Sequence, residues 1–283
     1  MNSRHAAAPS ASAEAPAVPL TLEGSSVLHQ MMRFRWAEWR RLTAAERSDI
    51  LRELNAVFGE AEAEGASGIF SLLGHKGDLM FVHFRKTLDE LNAAQLKLNS
   101  LRIQEFLEPA SSYVSVVELS LHDSSVKLYA SLSERGVVPH SEEWNREVQE
   151  TVERQQHAMS PRLFPKIPDQ RYICFYPMDR RRGEHKNWYT LPIDERQRQM
   201  DLHGMIGRRY AGRVQQIISG SIGYDDWEWG VDLFGNDPVV FKKLIYEMRF
   251  DEVSGVYSNF GTFYIGVRVR LERLGDLFEG KVA

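Results

Sequence analysis

Residues 171–179 read RYICFYPMD, and residues 213–231 read RVQQIISGSIGYDDWEWGV. Their alternating, β-branched and aromatic residues are typical of strands, and the turn at 223–226 divides the second stretch into two strands. Between the two stretches, Pro192 and the acidic residues after it open a helix, which we expect to end before Gly204. This part of the chain therefore predicts the order β-α-β-β.

The flanking sequence completes this pattern and then repeats it. A helix that opens at Asp237-Pro238 and a strand over 260–269 extend the order to β-α-β-β-α-β. The N-terminal half predicts the same order, with strands and helices over 26–34, 43–61, 68–73, 78–85, 88–101 and 113–119. The predicted fold class is therefore α+β, a duplicated ferredoxin-like fold.

Each predicted half leaves one face of its sheet bare, because both helices cover the other face. The halves span residues 22–120 and 171–270. Their two bare faces can pack together into a barrel-like core. We expect a pocket between that core and the neighbouring helices.

The remaining segments have a different composition. Residues 1–20 are rich in Ala, Pro and Ser and are expected to form a disordered tail. Residues 121–170 are expected to be an irregular connecting segment with an insertion at 123–160. Within it, residues 141–157 are polar all round, which indicates a solvated helix or a flexible insertion. Residues 271–283 are expected to be a C-terminal tail.

Composition limits the classes of protein that this chain can represent. It has 283 residues, of which 43% are hydrophobic, with a formal net charge of -4 and a pI near 6.2. These values give no indication of nucleic-acid binding. Cys174 is the one cysteine, so no internal disulfide can form. No apolar run is long enough to span a bilayer, and we expect a soluble, cytoplasmic protein.

His203 is the candidate metal ligand. It lies near the predicted end of the 192–203 helix, on the same face as Met200. A histidine in the core or at a helix end is the commoner explanation. No HExxH or CxxC motif accompanies it, so a zinc site made of protein ligands alone is not indicated. A single histidine suffices where a macrocycle supplies the other ligands, as in haem.

Two further side chains suggest a ligand pocket. Tyr176 ends a strand. It is either an amphipathic aromatic of the kind that commonly ends strands or a phenol that reaches a redox centre. Gln216 shares strand parity with the apolar residues Ile218 and Ile222, so it is expected to point inward. There it would belong to a polar core network or form a hydrogen bond with a ligand, since a buried amide requires a partner.

Several basic and aromatic residues are open to more than one interpretation. The run Arg180-Arg181-Arg182 is a solvated loop, a nucleic-acid contact without support elsewhere in the chain, or a carboxylate-binding site, and Arg162 is another candidate for carboxylate binding. Trp188, Trp227 and Trp229 are either core aromatics or oxidisable residues near a redox centre, and a core role is the commoner one for Trp229.

The chain resembles the coproheme decarboxylases of the chlorite-dismutase-like superfamily. The resemblance rests on YPMD, NWYTLP, ERQRQMDLHGMIGRRYAGRVQQIISGSIGYDDWEWGV and FKKLIYEMRFDEVSGVYSNFGTFYIG, and more weakly on LHQMMRFRWAEWRRL. It covers residues 22–270 outside the insertion and is dense over 171–266. It implies a dimeric α/β barrel of two ferredoxin-like halves, assembled as a homopentamer.

The resemblance also implies a reaction. Iron coproporphyrin III, called coproheme, would be both the substrate and the redox cofactor. Two of its propionates would lose CO2 and become vinyl groups, with hydrogen peroxide as the oxidant and haem b as the product. A transient contact with the ferrochelatase that supplies the substrate would be reasonable.

Residue roles follow from the resemblance position by position. His203 would be the proximal iron ligand, Gln216 the distal neutral residue, and Tyr176 the residue whose radical takes hydrogen from a propionate. The other roles are pocket lining for Met178 and Trp227, secondary redox activity for Trp188, and propionate binding for Arg162, Arg180 and Ser254.

The chain departs from the family pattern at two positions. Arg180 stands where the family commonly has lysine, and His122 stands where it often has a tyrosine. The competing functions are a chlorite dismutase or peroxidase of the same superfamily and a haem carrier without catalysis. Chlorite dismutase chemistry goes with a distal arginine in the family, whereas this chain has Gln216.

Overall fold

The computed structural model describes residues 18–281. The N-terminal half contains β1 (Thr21–Phe34), α1 (Trp36–Trp39), α2 (Ala44–Ala63), β2 (Ser67–Leu72), β3 (Leu79–Arg85), α3 (Leu88–Asn99) and β4 (Leu107–Ser120). Two helices connect the halves, α4 (His122–Glu134) and α5 (Glu142–Leu163). The C-terminal half contains β5 (Tyr172–Arg180), α6 (Ile193–Arg208), β6 (Gln215–Gly220), β7 (Trp229–Gly235), α7 (Pro238–Met248), α8 (Glu252–Gly255), β8 (Ser258–Phe260), β9 (Tyr264–Val269) and α9 (Leu274–Phe278).

Both halves have the same strand order. The N-terminal sheet runs β4-β1-β3-β2, and the C-terminal sheet runs β9-β5-β7-β6, all antiparallel. In each half the last strand of the chain lies beside the first, as a ferredoxin-like unit requires. The predicted duplicated ferredoxin-like fold is therefore confirmed.

The two sheets join at both edges, so that the strand pairings form a closed circuit. β2 pairs with β9 over Ile69 to Leu72. β4 pairs with β6 over only two positions, Val116 and Val117. Because this second junction is so short, the circuit is an irregular barrel.

Local signals start the helices where the sequence predicts them. The Thr43 side chain accepts from the N–H of Glu46, whose carboxylate accepts from the N–H of Thr43, which completes a capping box for α2. The Asp237 side chain accepts from the N–H of Val239, and Pro238 occupies the first turn of α7. These caps satisfy N–H groups that have no partner within the helix.

Different cores fill the two sides of the circuit. Inside it, His29 on β1 meets Asp232 on β7 at 2.9 Å, and both side chains are almost fully buried. The Phe175 ring stacks on His29 at 4.0 Å. Outside it, aromatic side chains fill the space between α2 and the N-terminal sheet, among them Phe34, Trp39, Phe58, Phe106 and Phe278.

The structure differs from the sequence expectations in three segments. Residues 121–170 contain two long helices, and Trp144 of α5 is buried against Tyr129 of α4. Helix α6 continues past Gly204 to Arg208. Residues 271–281 are not a tail, because Leu271, Leu274 and Phe278 pack into the N-terminal core.

The predicted disordered tail lies mostly outside the described residues. Its last three positions, 18–20, are described, and the chain there is held by two hydrogen bonds. The backbone N–H of Leu20 donates to Ser125 Oγ, and Tyr129 Oη donates to the carbonyl of Val18. The first strand begins directly afterwards, at Thr21.

Candidate functional site

A cavity of about 760 Å³ lies on the outer side of β5, β6 and β7, next to α6. Volumes of this order are typical of small-molecule and cofactor sites. Alternation along the strands determines its walls. Tyr176, Met178 and Arg180 of β5 and Gln216 and Ile218 of β6 face the cavity, whereas their neighbours Phe175 and Ile217 face the interior of the circuit.

The cavity brings together most of the residues that the sequence analysis singled out. Those in its wall are Arg162, Tyr176, Met178, Arg180, Trp188, His203, Gln216 and Ser254. His122, which we noted as a departure from the family pattern, also lies there.

His203 is fixed by a carboxylate. Its Nδ1 lies 2.8 Å from Oδ2 of Asp251, which also accepts a 2.6 Å hydrogen bond from the N–H of Ser254 through its other oxygen. Burial acts to raise the pKa of Asp251, but the hydrogen bonds from His203 and Ser254 outweigh it and hold the pKa below its ordinary value. An anionic acceptor at Nδ1 keeps the proton there, so the Nε2 lone pair is available to a metal.

The Ser254 hydroxyl lies beside this pair. Its Oγ is 3.4 Å from His203 Nδ1 and 3.5 Å from Asp251 Oδ2. Ser254 thus lies in the cavity wall, next to the histidine and its carboxylate.

Tyr176 is enclosed by aromatic rings. It is 4% exposed, and its ring stacks on Phe263 at 4.5 Å. Burial raises the pKa of the Tyr176 phenol, so the phenol keeps its proton at neutral pH. The side chain can therefore give up a hydrogen atom to an oxidant.

Arg180 is a cation held mainly by neutral groups. Its guanidinium donates to Ser258 Oγ at 2.6 Å and lies over the Trp188 ring at 4.8 Å. Among residues 18–281 it forms no ion pair with a carboxylate side chain. Burial lowers the pKa of Arg180 to about 10, so it remains charged at neutral pH. Such a cation on a cavity wall is suited to binding an anionic ligand.

Gln216 is exposed in the cavity instead of being buried in the core. The predicted parity with Ile218 and Ile222 holds, but all three side chains line the open cavity. The alternate residue Ile217 packs in the interior of the circuit. The amide of Gln216 is therefore free to meet a ligand.

The tryptophan assignments are corrected by the structure. Trp227 lies outside the large cavity and lines a separate one of about 160 Å³ near Tyr113 and Asp225. Trp229, for which a core role was the commoner explanation, lines the large cavity, and its Nε1 donates to Glu118 at 3.1 Å. Trp227 precedes the first residue of β7, so strand alternation does not determine its side.

Three cavity or support residues were not found from the sequence. Asp251 is 48 positions from its partner His203, and no spacing motif joins them. Glu118 lies on β4, where no candidate residue was identified, and Arg196 lies on α6, where no motif distinguishes it from the other charged residues of that helix. The N-terminal capping position of Asp251 is the one local signal present, and it indicates only a helix start.

The side chains fit a porphyrin iron better than a metal held by protein alone. Among residues 18–281, no cluster of three His, Cys, Asp or Glu side chains could hold a metal ion. The cavity combines one available imidazole nitrogen with apolar walls from Met178, Val231 and Met248 and with the cation of Arg180. A macrocycle with acidic arms would use all of these features.

Comparisons with known proteins agree with this chemistry. A family model described as chlorite dismutase matches residues 47–269. A coproheme decarboxylase of Staphylococcus saprophyticus is 40% identical over 93% of this chain and 99% of its own length. A protein of Natronomonas pharaonis named for haem binding is 41% identical over 92% of this chain, which spans only 42% of that protein's length.

Solved structures with the same fold include both close and distant relatives. A haem-binding protein from Thermus thermophilus superposes with a TM-score of 0.79 and 39% identity, over 93% of this chain and 98% of that one. A chlorite dismutase variant from Candidatus Nitrospira defluvii gives a TM-score of 0.67 at 15% identity, over 90% and 95%. At that identity the likeness concerns the fold alone.

Proposed function

The chain belongs to the chlorite dismutase family, and from this premise we propose that it is a peroxide-dependent coproheme decarboxylase. Each turnover would convert one propionate arm of iron coproporphyrin III to a vinyl group. In balanced form, one carboxylate arm, one hydrogen peroxide and one proton give one vinyl group, one CO2 and two waters. Two turnovers would produce haem b.

The observation that carries this proposal is the pairing of two features in one cavity. His203 offers Nε2 as a ligand while Asp251 holds Nδ1. Arg180 offers a cation that forms no ion pair with a carboxylate of the described chain, residues 18–281. An iron porphyrin with propionate arms satisfies both at once, because its iron takes the imidazole and its carboxylates take the guanidinium.

The remaining cavity residues then have defined tasks. Arg162, Ser254 and His122 would hold further carboxylates, and Arg180 would orient the reacting arm. Met178 and Trp229 would enclose the ring, and Trp188, under the Arg180 guanidinium, would be a secondary redox aromatic. Fixed positions matter because a reacting carbon must be held against the group that attacks it.

Tyr176 would be the hydrogen acceptor. Bound coproheme supplies the oxidising equivalents once peroxide is present. Tyr176 would pass one electron and its proton to that oxidant, and its radical would then take a hydrogen atom from the propionate chain. The carbon radical left on the chain would give a second electron to the oxidant as its bond to the carboxylate breaks, which releases CO2 and forms the vinyl double bond. The apolar rings around Tyr176 exclude water from the radical.

The neutral side chain of Gln216 favours decarboxylation over the rival activities. It supplies a hydrogen-bonding amide but no charge on the strand wall, whereas chlorite dismutase chemistry in the family goes with an arginine. A haem carrier would require His203 but would not require a buried phenol beside the cavity.

The cellular setting is also part of the proposal. We expect a cytoplasmic homopentamer that receives its substrate from a ferrochelatase through a transient contact, as the family resemblance implies. Among residues 18–281, no helix is sufficiently long and apolar to cross a membrane.

The direct test is a reaction of purified protein with ferric coproporphyrin III and titrated peroxide, followed by mass spectrometry. We expect the product to lose two carboxyl groups as CO2, in two steps. An unchanged porphyrin would reject the proposal, and chlorite consumption with oxygen release would favour a chlorite dismutase.

A further inference from the structure

Glu118 is a carboxyl in the cavity wall that the assignments above leave without a role. It lies on β4, and its Oε1 accepts the indole hydrogen of Trp229 at 3.1 Å. No other side chain within residues 18–281 forms a hydrogen bond or an ion pair with it. The carboxyl therefore has capacity for a further hydrogen bond on the cavity side.

The strand next to Glu118 is shaped to make room for this carboxyl. Gly220 on β6 pairs with Val116, and a Cβ at Gly220 would overlap Oε2 of Glu118. The short β4–β6 junction thus brings Glu118 into the same wall as Ile218 and Gln216. The Glu118 carboxyl group occupies the space that a side chain at position 220 would fill.

Burial and one neighbouring carboxylate favour the protonated form of Glu118. Burial raises the pKa of Glu118, the Trp229 indole opposes this rise, and the Glu23 carboxylate adds to it. Glu23 is the Cα partner of Glu118 across β1 and β4. From β6 the facing side chains are the uncharged Gln216 and Ile218, and from β7 the facing group is Trp229.

The proposed reaction consumes a proton that the other candidate groups are poorly suited to give. Arg180 and Tyr176 hold their protons too tightly, and Gln216 does not titrate. Burial, with Arg196 and Arg180 nearby, lowers the pKa of His122 to about 4, so it carries no extra proton at neutral pH. Asp123 and Asp201 also line the cavity, but both side chains are exposed to solvent.

We propose that Glu118 is the proton donor of the cavity. This inference rests on the proposed function. The Glu118 carboxyl gives its proton to the peroxide oxygen that leaves as the first water. The second oxygen keeps the other peroxide hydrogen and becomes the second water with the hydrogen that Tyr176 relays from the propionate chain. The Glu118 carboxylate then takes a proton back from solvent at the cavity mouth. The Trp229 indole stabilises the carboxylate between turnovers.

The test compares Glu118→Gln with Glu23→Gln. Glutamine keeps an oxygen for the Trp229 indole but has no acidic proton, and we expect the decarboxylation rate to fall by about 100-fold or more with coproheme affinity unchanged. The wild-type decarboxylation rate should decline as pH rises through the Glu118 pKa. The rate of Glu118→Gln should not show this decline. Glu23→Gln should reach the same maximal rate on the acidic side but begin its decline at lower pH, because it removes a like charge.

A second measurement uses the ligand-free protein and separates this inference from the proposed function. Infrared difference spectra of wild type against Glu118→Gln should contain a protonated-carboxyl band that titrates above the ordinary glutamate pKa of about 4.3. A band that titrates at or below that value would overturn the assignment even if the wild type is inactive. If the wild type decarboxylates and Glu118→Gln keeps its rate and pH profile, Glu118 is not the donor, whereas the proposed function stands.

Discussion

The carboxylate of Asp251 lies 2.8 Å from Nδ1 of His203 and leaves Nε2 available to a metal. We expect Asp251→Asn to weaken binding of ferric coproporphyrin III by about 10- to 100-fold, because a neutral acceptor makes the imidazole a poorer ligand. A Soret-band titration measures this affinity. Glu252→Gln, a change at the exposed neighbouring carboxylate, is the matched control and should bind normally. Equal affinity of both variants for ferric coproporphyrin III would show that Asp251 does not strengthen His203 as a ligand.

The same aspartate should make stability depend on pH in a defined window. Its pKa lies below the ordinary value of 3.8, so its stabilising contribution is complete above that value. The contribution is lost as pH falls through the folded-state pKa. Urea unfolding of wild type and Asp251→Asn should therefore give a constant difference in the free energy of unfolding at neutral pH, which shrinks at acidic pH. A difference that grows on acidification would contradict the assignment.

Tyr176→Phe should separate binding from chemistry. The substitution keeps the packing against Phe263 but removes the phenolic hydrogen, so coproheme should bind while CO2 release falls to the background rate. Mass spectrometry of the porphyrin measures the product. Tyr172→Phe, on the same strand but outside the cavity wall, should leave the reaction intact. Full activity in Tyr176→Phe would disprove the radical role.

Arg180→Met should reduce affinity for acidic porphyrins in particular. The guanidinium can donate two parallel hydrogen bonds to a carboxylate, and methionine can donate none. We expect weaker binding of ferric coproporphyrin III with little change for iron etioporphyrin, which lacks carboxylates. Arg182→Met, at an exposed position, is the control. An equal loss for both porphyrins would indicate a packing defect instead.

The buried contact between His29 and Asp232 should matter for stability and not for ligand binding. It joins β1 of one half to β7 of the other at 2.9 Å. Removal of one partner leaves the other polar group buried, so Asp232→Ala should cost about 3–5 kcal/mol of unfolding free energy. Asp123→Ala, which breaks an exposed pair with Lys127, should cost at most about 1 kcal/mol. Chemical denaturation measures both values.

The strand order of both halves could be predicted because periodicity and punctuation are local signals. A few neighbouring residues suffice to recognise the alternation around Tyr176. The same is true of the start of α7 at Pro238. Gly204 misled the prediction because a glycine inside a helix costs only about 1 kcal/mol, which the packing of α6 against α4, α7 and α8 can offset. The polar stretch at 141–157 left both a solvated helix and a flexible insertion open, because only a narrow stripe of it, which includes Trp144, is buried.

The candidate site was predictable only in part, for a similar reason. Tyr176, His203 and Gln216 each carry a recognisable side chain on a regular element, and the structure brings them to one cavity. Asp251 and Glu118 act through neighbours that are distant in sequence, so local pattern could not find them. Trp227 was predicted to line the cavity, but Trp229 does so instead. The prediction failed because Trp227 lies before the first residue of β7, where strand alternation does not apply.

The aromatic core between α2 and the N-terminal sheet makes the two halves differ in how tightly they are packed. The place that corresponds to the cavity beside α6 is filled in the N-terminal half by Phe34, Trp39 and Phe278. An empty volume weakens a fold, because the atoms around it lose their packing partners. The packed N-terminal half can thus supply stability to a fold whose C-terminal half contains an open cavity.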